Sequence, residues 1–414
     1  MAVEARTTLD AQKLRADFPI LQQEINGKPL AYLDSAVTAQ KPRQMLEAMT
    51  EFYETSYGNV HRGVYALAER STEAFEGARD RIAKFVNAPS SRELIFTRNA
   101  TESLNLVAYA YGLARLGPGD VVVVTELEHH SNFVPWQYVA KRTGATFRMV
   151  RLTDSGELDL DGLDELTRDG DLKVVAANLV SNALGTVNPI EKLTAWAHEH
   201  GAVSVVDAAQ AAPHRSIDVQ ALGCDFLAFS AHKLCGPSGV GALWGRRELL
   251  ESMEPFNLGG HMIRKVQFEE TTWGDLPHKF EAGTPPIAQA VGLGAAIDYL
   301  VEVGLEAVER HEAELTAYAW GRLSEVPGLT LYGPPPERRA GIVSFNLDGI
   351  HPHDVAQVVD AEGVAVRAGH HCNQPLMTSL GVDATTRASF YLYTLPEEID
   401  RLVDGLQRAR KLFS

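Results

Sequence analysis

Short, uninterrupted apolar runs alternate with helical patterns through the middle of the chain. This alternation predicts a mostly parallel sheet covered by helices. The runs are Leu94–Thr97, Val121–Thr125, Thr146–Val150, Val174–Asn178, Val203–Asp207 and Phe226–Ser230. They are rich in Val, Ile and Phe, as strands buried on both faces are. Between them the spacing predicts helices over Glu102–Leu113 and Glu191–His200.

The pattern changes near Gly292–Gly294. One long helix is expected over Ala295–Leu323, then a turn-rich stretch from Leu331 to Pro336. A strand (Gly341–Leu347), a helix opening at His353-Asp354, and strands over Val364–Arg367 and Ala388–Tyr393 follow. Ile399, Leu402, Val403 and Leu406 mark one face of a last helix. This reads as an N-terminal segment 1–25 packing with the small domain, a large α/β domain over 26–294, and a smaller α+β domain over 295–414. Two domains suit 414 residues.

Composition narrows the classes. A formal net charge of −16 disfavours nucleic acid or an anionic membrane as the main partner. No apolar run approaches the roughly 18 residues that span a bilayer. Met1-Ala2-Val3-Glu4-Ala5-Arg6 mixes acid and base with no apolar core, unlike a signal peptide. Three scattered cysteines, Cys224, Cys235 and Cys372, form neither a disulfide framework nor a C-x-x-C metal pair. The expectation is an enzyme of the reducing cytoplasm with no bound metal.

The chemistry concentrates between Val203 and Lys233. Asp207 ends one expected strand and Gln210 follows it; the next strand delivers Ser230, His232 and Lys233. Open α/β sheets bind ligands beyond the carboxyl ends of their strands. An acid and a lysine at two such ends are what a pyridoxal 5′-phosphate (PLP) site requires. The lysine holds the aldehyde and the carboxylate keeps the pyridine nitrogen protonated. Taken alone, Asp207 could equally cap a helix and Lys233 could be a surface lysine. His129-His130 after the valine strand, where an imidazole could stack on a ring, weigh against that. So does Thr101 at a helix start, a natural phosphate seat. Cys372 lies in the polar turn Arg367-Ala368-Gly369-His370-His371-Cys372, which favours a mobile, accessible thiol over a buried apolar one.

These segments, together with Asp34-Ser35-Ala36, Val60-His61-Arg62-Gly63, Val180-Ser181-Asn182-Ala183-Leu184-Gly185 and Phe280-Glu281-Ala282-Gly283-Thr284-Pro285, resemble the group II (Suf-type) cysteine desulfurases. That branch lies close to the selenocysteine lyases, within the PLP-dependent class V aminotransferase-like enzymes. The resemblance runs in order over nearly the whole chain. It implies fold type I of the PLP-dependent transferases, with a seven-stranded, mostly parallel sheet and a shared active site in a homodimer.

It also implies roles. Lys233 would hold the cofactor, Asp207 would pair with its ring nitrogen, and His129 would stack on the ring and serve proton transfer. Gln210 and Asn182 would lie near the phenolic oxygen or the substrate. Thr101, Glu102, Ser230 and His232 would surround the phosphate, and Thr284 would reach it from a second subunit. Arg387 would bind the substrate carboxylate, with Arg367, Asn182, His61 and Ala36 near the substrate. Cys372 would take sulfur from L-cysteine as a persulfide and pass it to an acceptor protein, for iron–sulfur cluster or thio-cofactor assembly. Cys224 and Cys235 read as packing. The sequence departs from the pattern at Val37, Ala231, His261 and Asn373. Two alternatives stay open at this stage: a selenocysteine or cysteine C–S lyase of the same fold, in which Cys372 is dispensable, and a scaffold without catalysis.

Overall fold

A computed structural model describes residues 9–413. Residues 1–8, which include the Met1–Arg6 stretch and the start of the expected segment 1–25, lie outside the described residues.

Seven strands form the main sheet: β1 (Leu94–Thr97), β2 (Asp120–Thr125), β3 (Thr146–Val150), β4 (Asp171–Asn178), β5 (Val203–Asp207), β6 (Phe226–Ser230) and β7 (Gly241–Gly245). Their order is β1-β7-β6-β5-β4-β2-β3. From β6 to β3 every pairing is parallel, and β7 runs antiparallel to both β6 and β1. Four of the six expected strands have their expected bounds, while β2 and β4 begin one and three residues earlier. The antiparallel β7 was not expected. Its five residues, Gly-Ala-Leu-Trp-Gly, begin and end in glycine and carry little strand signal.

Both faces of this sheet are covered. Val121 and Val123 of β2 join one apolar cluster, and Val122 and Val124 join the other. Successive side chains of a strand point to opposite faces, so a run of valines supplies both cores at once. The Glu102–Leu113 pattern is an α-helix over Ala100–Val107 that passes through a π turn at Ala108–Gly112.

The expected single helix over Ala295–Leu323 is two, Ile287–Val303 and Leu305–Ser324. They are separated by Gly304 at φ +90, a backbone state that glycine adopts without steric cost. A second sheet follows: β8 (Leu329–Tyr332), β9 (Ile342–Leu347), β10 (Arg367–Gly369) and β11 (Thr385–Ser389), antiparallel in the order β8-β9-β11-β10. The last expected strand is displaced. Polar Thr385, Thr386 and Arg387 form it, fully buried, whereas Phe390–Tyr393 lie in the turn beyond.

The beginning of the described chain packs against its end. Ala31–Tyr32 pair in parallel with Val364–Ala365, and Arg15 reaches the Tyr393 carbonyl and Glu398, each at 2.9 Å. Asp34, Ser35 and Ala36 are thereby laid beside β11, with the Ala36 N–H donating to Ser389 Oγ at 2.9 Å. Among the described residues no helix is long and apolar enough to cross a membrane.

Candidate active site

The carboxyl ends of β4, β5 and β6 open on one cavity of about 210 Å³. Lys233, Asp207, His129, Thr101, Asn182, Gln210, Ser230, His232, Cys372, Arg387, Arg367 and Ala36 all line it. Three expected site residues do not: His61, Glu102 and Thr284. Glu102 turns back to bond Arg98, at its N–H and at Nε (3.0 Å), since Asn99 caps the same helix at the Glu102 N–H. Exposed Thr284 lies on a separate hollow shared with Glu102 and Phe256. His61 bonds Glu76 at 2.7 Å among other histidines.

Each group is set by its strand or helix end. Asp207 ends β5, buried, and its Oδ1 accepts the Ala209 N–H at 2.9 Å. Burial pushes its carboxyl up, while that N–H and Lys233 pull it down. Lys233 follows β6 in a single 3-10 turn whose His232 carbonyl accepts from the Ala39 N–H, Thr38 Oγ1 and Lys41 Nζ at 2.9–3.0 Å. Burial holds the Lys233 amine down to about 8, with Asp207 and Cys372 drawing it up and Arg387 drawing it down.

His129 caps the helix His130–Thr143, its Nδ1 accepting from the Ser131 N–H at 3.0 Å. The ring proton is therefore on Nε2. Burial, then the charge of Lys233, holds this imidazole neutral, down to about 3. The preceding residue, Glu128, carries no catalytic signal in the sequence. It is buried against Thr125, Asn132 and Asn178 and anchors the turn that presents His129. Its only mark there is the acid pair Glu126 and Glu128 directly after a valine strand.

One wall suits an anion. Ser230 Oγ accepts the Ala100 N–H at 2.8 Å, so its own proton is free to donate into the cavity. Thr101, at that helix start, shares a hydroxyl contact at 2.7 Å with Ser131 of the helix His130–Thr143. On the other wall, buried Arg387 donates from Nη1 to the Asn182 carbonyl (2.6 Å) and from Nη2 to Asp34 Oδ1 (3.2 Å). Asp34, which the sequence marks only within its motif, orients this guanidinium.

Cys372 sits at φ +54, immediately after His371 at φ +51. The turn expected to be mobile is pinned. Asn182 donates to the His371 carbonyl at 2.6 Å, the His130 N–H donates to the Cys372 carbonyl at 2.8 Å, and Asn373 caps the helix Gln374–Ser379. Two consecutive left-handed residues cost about 1–3 kcal/mol each and persist only when neighbours enforce them. Cys224 and Cys235 are fully buried, and burial pushes both thiols up to about 12.

Asn182 Oδ1, Gln210 Oε1 and Arg387 Nε are buried with no hydrogen-bond partner among the described residues. A lysine, a buried carboxylate, an imidazole, an anion seat and unsatisfied polar atoms around one small cavity fit PLP and an amino acid. The aminotransferase class-V family model matches residues 31–402. A probable cysteine desulfurase of Streptomyces coelicolor is 56% identical over 98% of each chain. The chain belongs to the cysteine desulfurases of that family. A cysteine desulfurase of Haloferax volcanii is 50% identical over the full length of both chains. Among solved structures, the cysteine desulfurase CsdA of Escherichia coli matches with a TM-score of 0.91 at 39% identity, covering 99% of this chain and 100% of that one.

Proposed function

We propose that this enzyme uses PLP held by Lys233 to take sulfur from L-cysteine, and that Cys372 receives it as a persulfide. The observation that carries the reading is the meeting of Lys233, Asp207, Arg387 and Cys372 on one cavity. When bound, the cofactor supplies a ring that accepts electrons from the substrate α-carbon. Asp207 would keep the ring nitrogen protonated, and His129 would stack on the ring. Thr101, Ser230 and His232 would hold the phosphate, and Gln210 and Asn182 would address the phenolic oxygen.

The remaining steps belong to side chains of this chain. Arg387 orients the substrate carboxylate with a guanidinium fork, assisted by Arg367 at the rim. Lys233 removes the α-proton; an amine held down to about 8 is a competent base near neutrality. The Cys372 thiolate attacks the substrate sulfur. An S–S bond forms, the Cβ–S bond breaks with its electrons passing to the substrate, and alanine leaves after protonation. A thiol of an acceptor protein then removes the persulfide sulfur, for iron–sulfur cluster or thio-cofactor assembly. A reducing cytoplasm suits a carrier thiol of this kind.

The active unit in this reading is a homodimer in which Thr284 reaches the phosphate of the neighbouring subunit. Two features support it. Thr284 is exposed and away from its own cavity. Large apolar side chains stand uncovered elsewhere on the surface: Val64 is 97% exposed, and Leu258 and Phe268 are exposed as well.

Incubation with L-cysteine followed by peptide mass spectrometry tests the assignment. One added sulfur atom is expected on the peptide that carries Cys372. Sulfur on Cys224 or Cys235 instead would overturn it.

A further inference from the structure

Three histidines outside the cavity converge: His61, His261 and His278. One ring nitrogen of each lies within 4.8 Å of the other two. The His61 ring stacks on His261 with centroids 4.8 Å apart and meets His278 edge-on at 4.7 Å. They come from three separate segments: the loop before the helix Ala66–Phe85, the turn before the strand Ile263–Val266, and the 3-10 turn His278–Phe280.

Three features mark the cluster as a ligand set rather than a stack of rings. His61 Nδ1, His261 Nε2 and His278 Nδ1 are buried with no hydrogen-bond partner among the described residues. Unpaired buried nitrogens are costly, and a metal–ligand bond would satisfy the ones that converge. Second, His61 gives its other nitrogen, Nε2, to the Glu76 carboxylate at 2.7 Å. Metal-binding histidines use this outer carboxylate to fix the tautomer and aim the free nitrogen. Third, the carboxylates are themselves braced. Arg79, fully buried, bonds Glu76 at 2.9 Å and Glu281 at 2.6 and 2.9 Å, and Glu281 lies 3.9 Å from His278 Nδ1.

We propose that His61, His261 and His278 form a three-histidine site for a divalent transition-metal ion of the zinc class. Imidazole nitrogens suit zinc, copper or nickel and not calcium or magnesium, which take oxygen ligands. At Zn–N distances of about 2.1 Å, tetrahedral ligand atoms lie about 3.4 Å apart. Side-chain movements on the order of 1 Å close the present spacing to that geometry. Three protein ligands leave a fourth position for water. The ion would staple the His261 turn to the segment that carries Thr284, which it already touches through the Gly283 N–H and the Gly260 carbonyl at 2.9 Å.

The test uses tag-free PLP-loaded enzyme, stripped with a chelator and titrated with Zn2+, then with Co2+ as a spectroscopic probe. The wild type should take up one ion per chain at micromolar zinc, and its Tm should rise. Co2+ should give the visible ligand-field bands of nitrogen coordination at low coordination number. His261→Ser and His278→Phe should each abolish uptake and the Tm rise while melting like the stripped wild type. Cys372→Ser should keep full stoichiometry, which separates this site from the catalytic thiol. Should either histidine variant fail to fold, wild-type stoichiometry and the Co2+ spectrum still decide. No stoichiometric uptake by the wild type, or undiminished uptake in folded His261→Ser, overturns the proposal.

Discussion

The side-chain amide of Asn182 donates to the backbone carbonyl of His371 at 2.6 Å, one residue before the cysteine proposed to receive sulfur. The loop after β4 thus fixes the turn that carries Cys372. Arg387, which donates to the carbonyl of Asn182, joins the same chain of contacts at 2.6 Å. In the proposed reaction, substrate carboxylate and acceptor thiol would be positioned through one residue.

Asn182→Ala should therefore loosen the acceptor turn. A buried carbonyl left without its donor costs about 1–3 kcal/mol, so denaturant melts should show a loss of that order. Alanine formation from cysteine should fall by about tenfold or more, since 1.4 kcal/mol of lost positioning corresponds to a factor of ten. The rate should be taken per bound PLP, measured by absorbance, so that any cofactor lost with the Asn182 contact is counted separately. Wild-type turnover in this variant would remove Asn182 from the positioning of Cys372.

The proposed cofactor lysine gives a pH signature. Only the neutral amine attacks an aldehyde, and burial holds Lys233 down to about 8. The neutral fraction rises with pH and saturates above the group's own pKa. PLP uptake by stripped enzyme should therefore quicken about tenfold per pH unit below pH 8 and level off above it. A rate still climbing steadily to pH 10 would mean that an ordinary, solvated lysine receives the cofactor.

Arg79 forms a buried ion pair with Glu281, three residues before Thr284. Both side chains are almost fully buried, and Glu281 also accepts the Phe96 N–H at 2.8 Å. Breaking such a pair from one side costs about 3–5 kcal/mol, because the remaining charge is buried alone. Arg79 holds the Glu281 carboxyl down to about 2, against burial, from an ordinary value of 4.5. A carboxyl lowered on folding stabilises above its unfolded pKa, and that stability is lost as pH falls from about 4.5 towards 2. Glu281→Gln should be several kcal/mol less stable at pH 7 and should lose less stability than wild type between pH 5 and 3. Equal acid sensitivity in the two proteins would remove Glu281 from the account.

Most of the large sheet was legible because strands buried on both faces write themselves as largely apolar runs, as β1, β2, β5 and β6 do. The misplaced and missed elements have physical reasons. β11 buries Thr385, Thr386 and Arg387 for the site's sake, so its polarity hid it, while the apolar Phe390–Tyr393 beside it imitated a strand. The break at Gly304 is one residue in an otherwise helical pattern. In the site, strand-end residues such as Asp207 and Lys233 could be read from position. Supporting residues could not: Glu128 and Asp34 act through neighbours distant in sequence. The Cys372 turn looked mobile because its glycine and histidines are local features. What pins it, Asn182 and His130, arrives from elsewhere in the chain.

Cys372→Ser tests the central claim most directly, read as the rate of alanine production from L-cysteine. The serine variant should still load PLP, bind cysteine and keep its fold, since Cys372 is only partly buried and bonds its neighbours through backbone. It should make almost no alanine, because no thiolate remains to take the sulfur. Alanine production at the wild-type rate in Cys372→Ser would contradict persulfide transfer and leave a C–S lyase in its place.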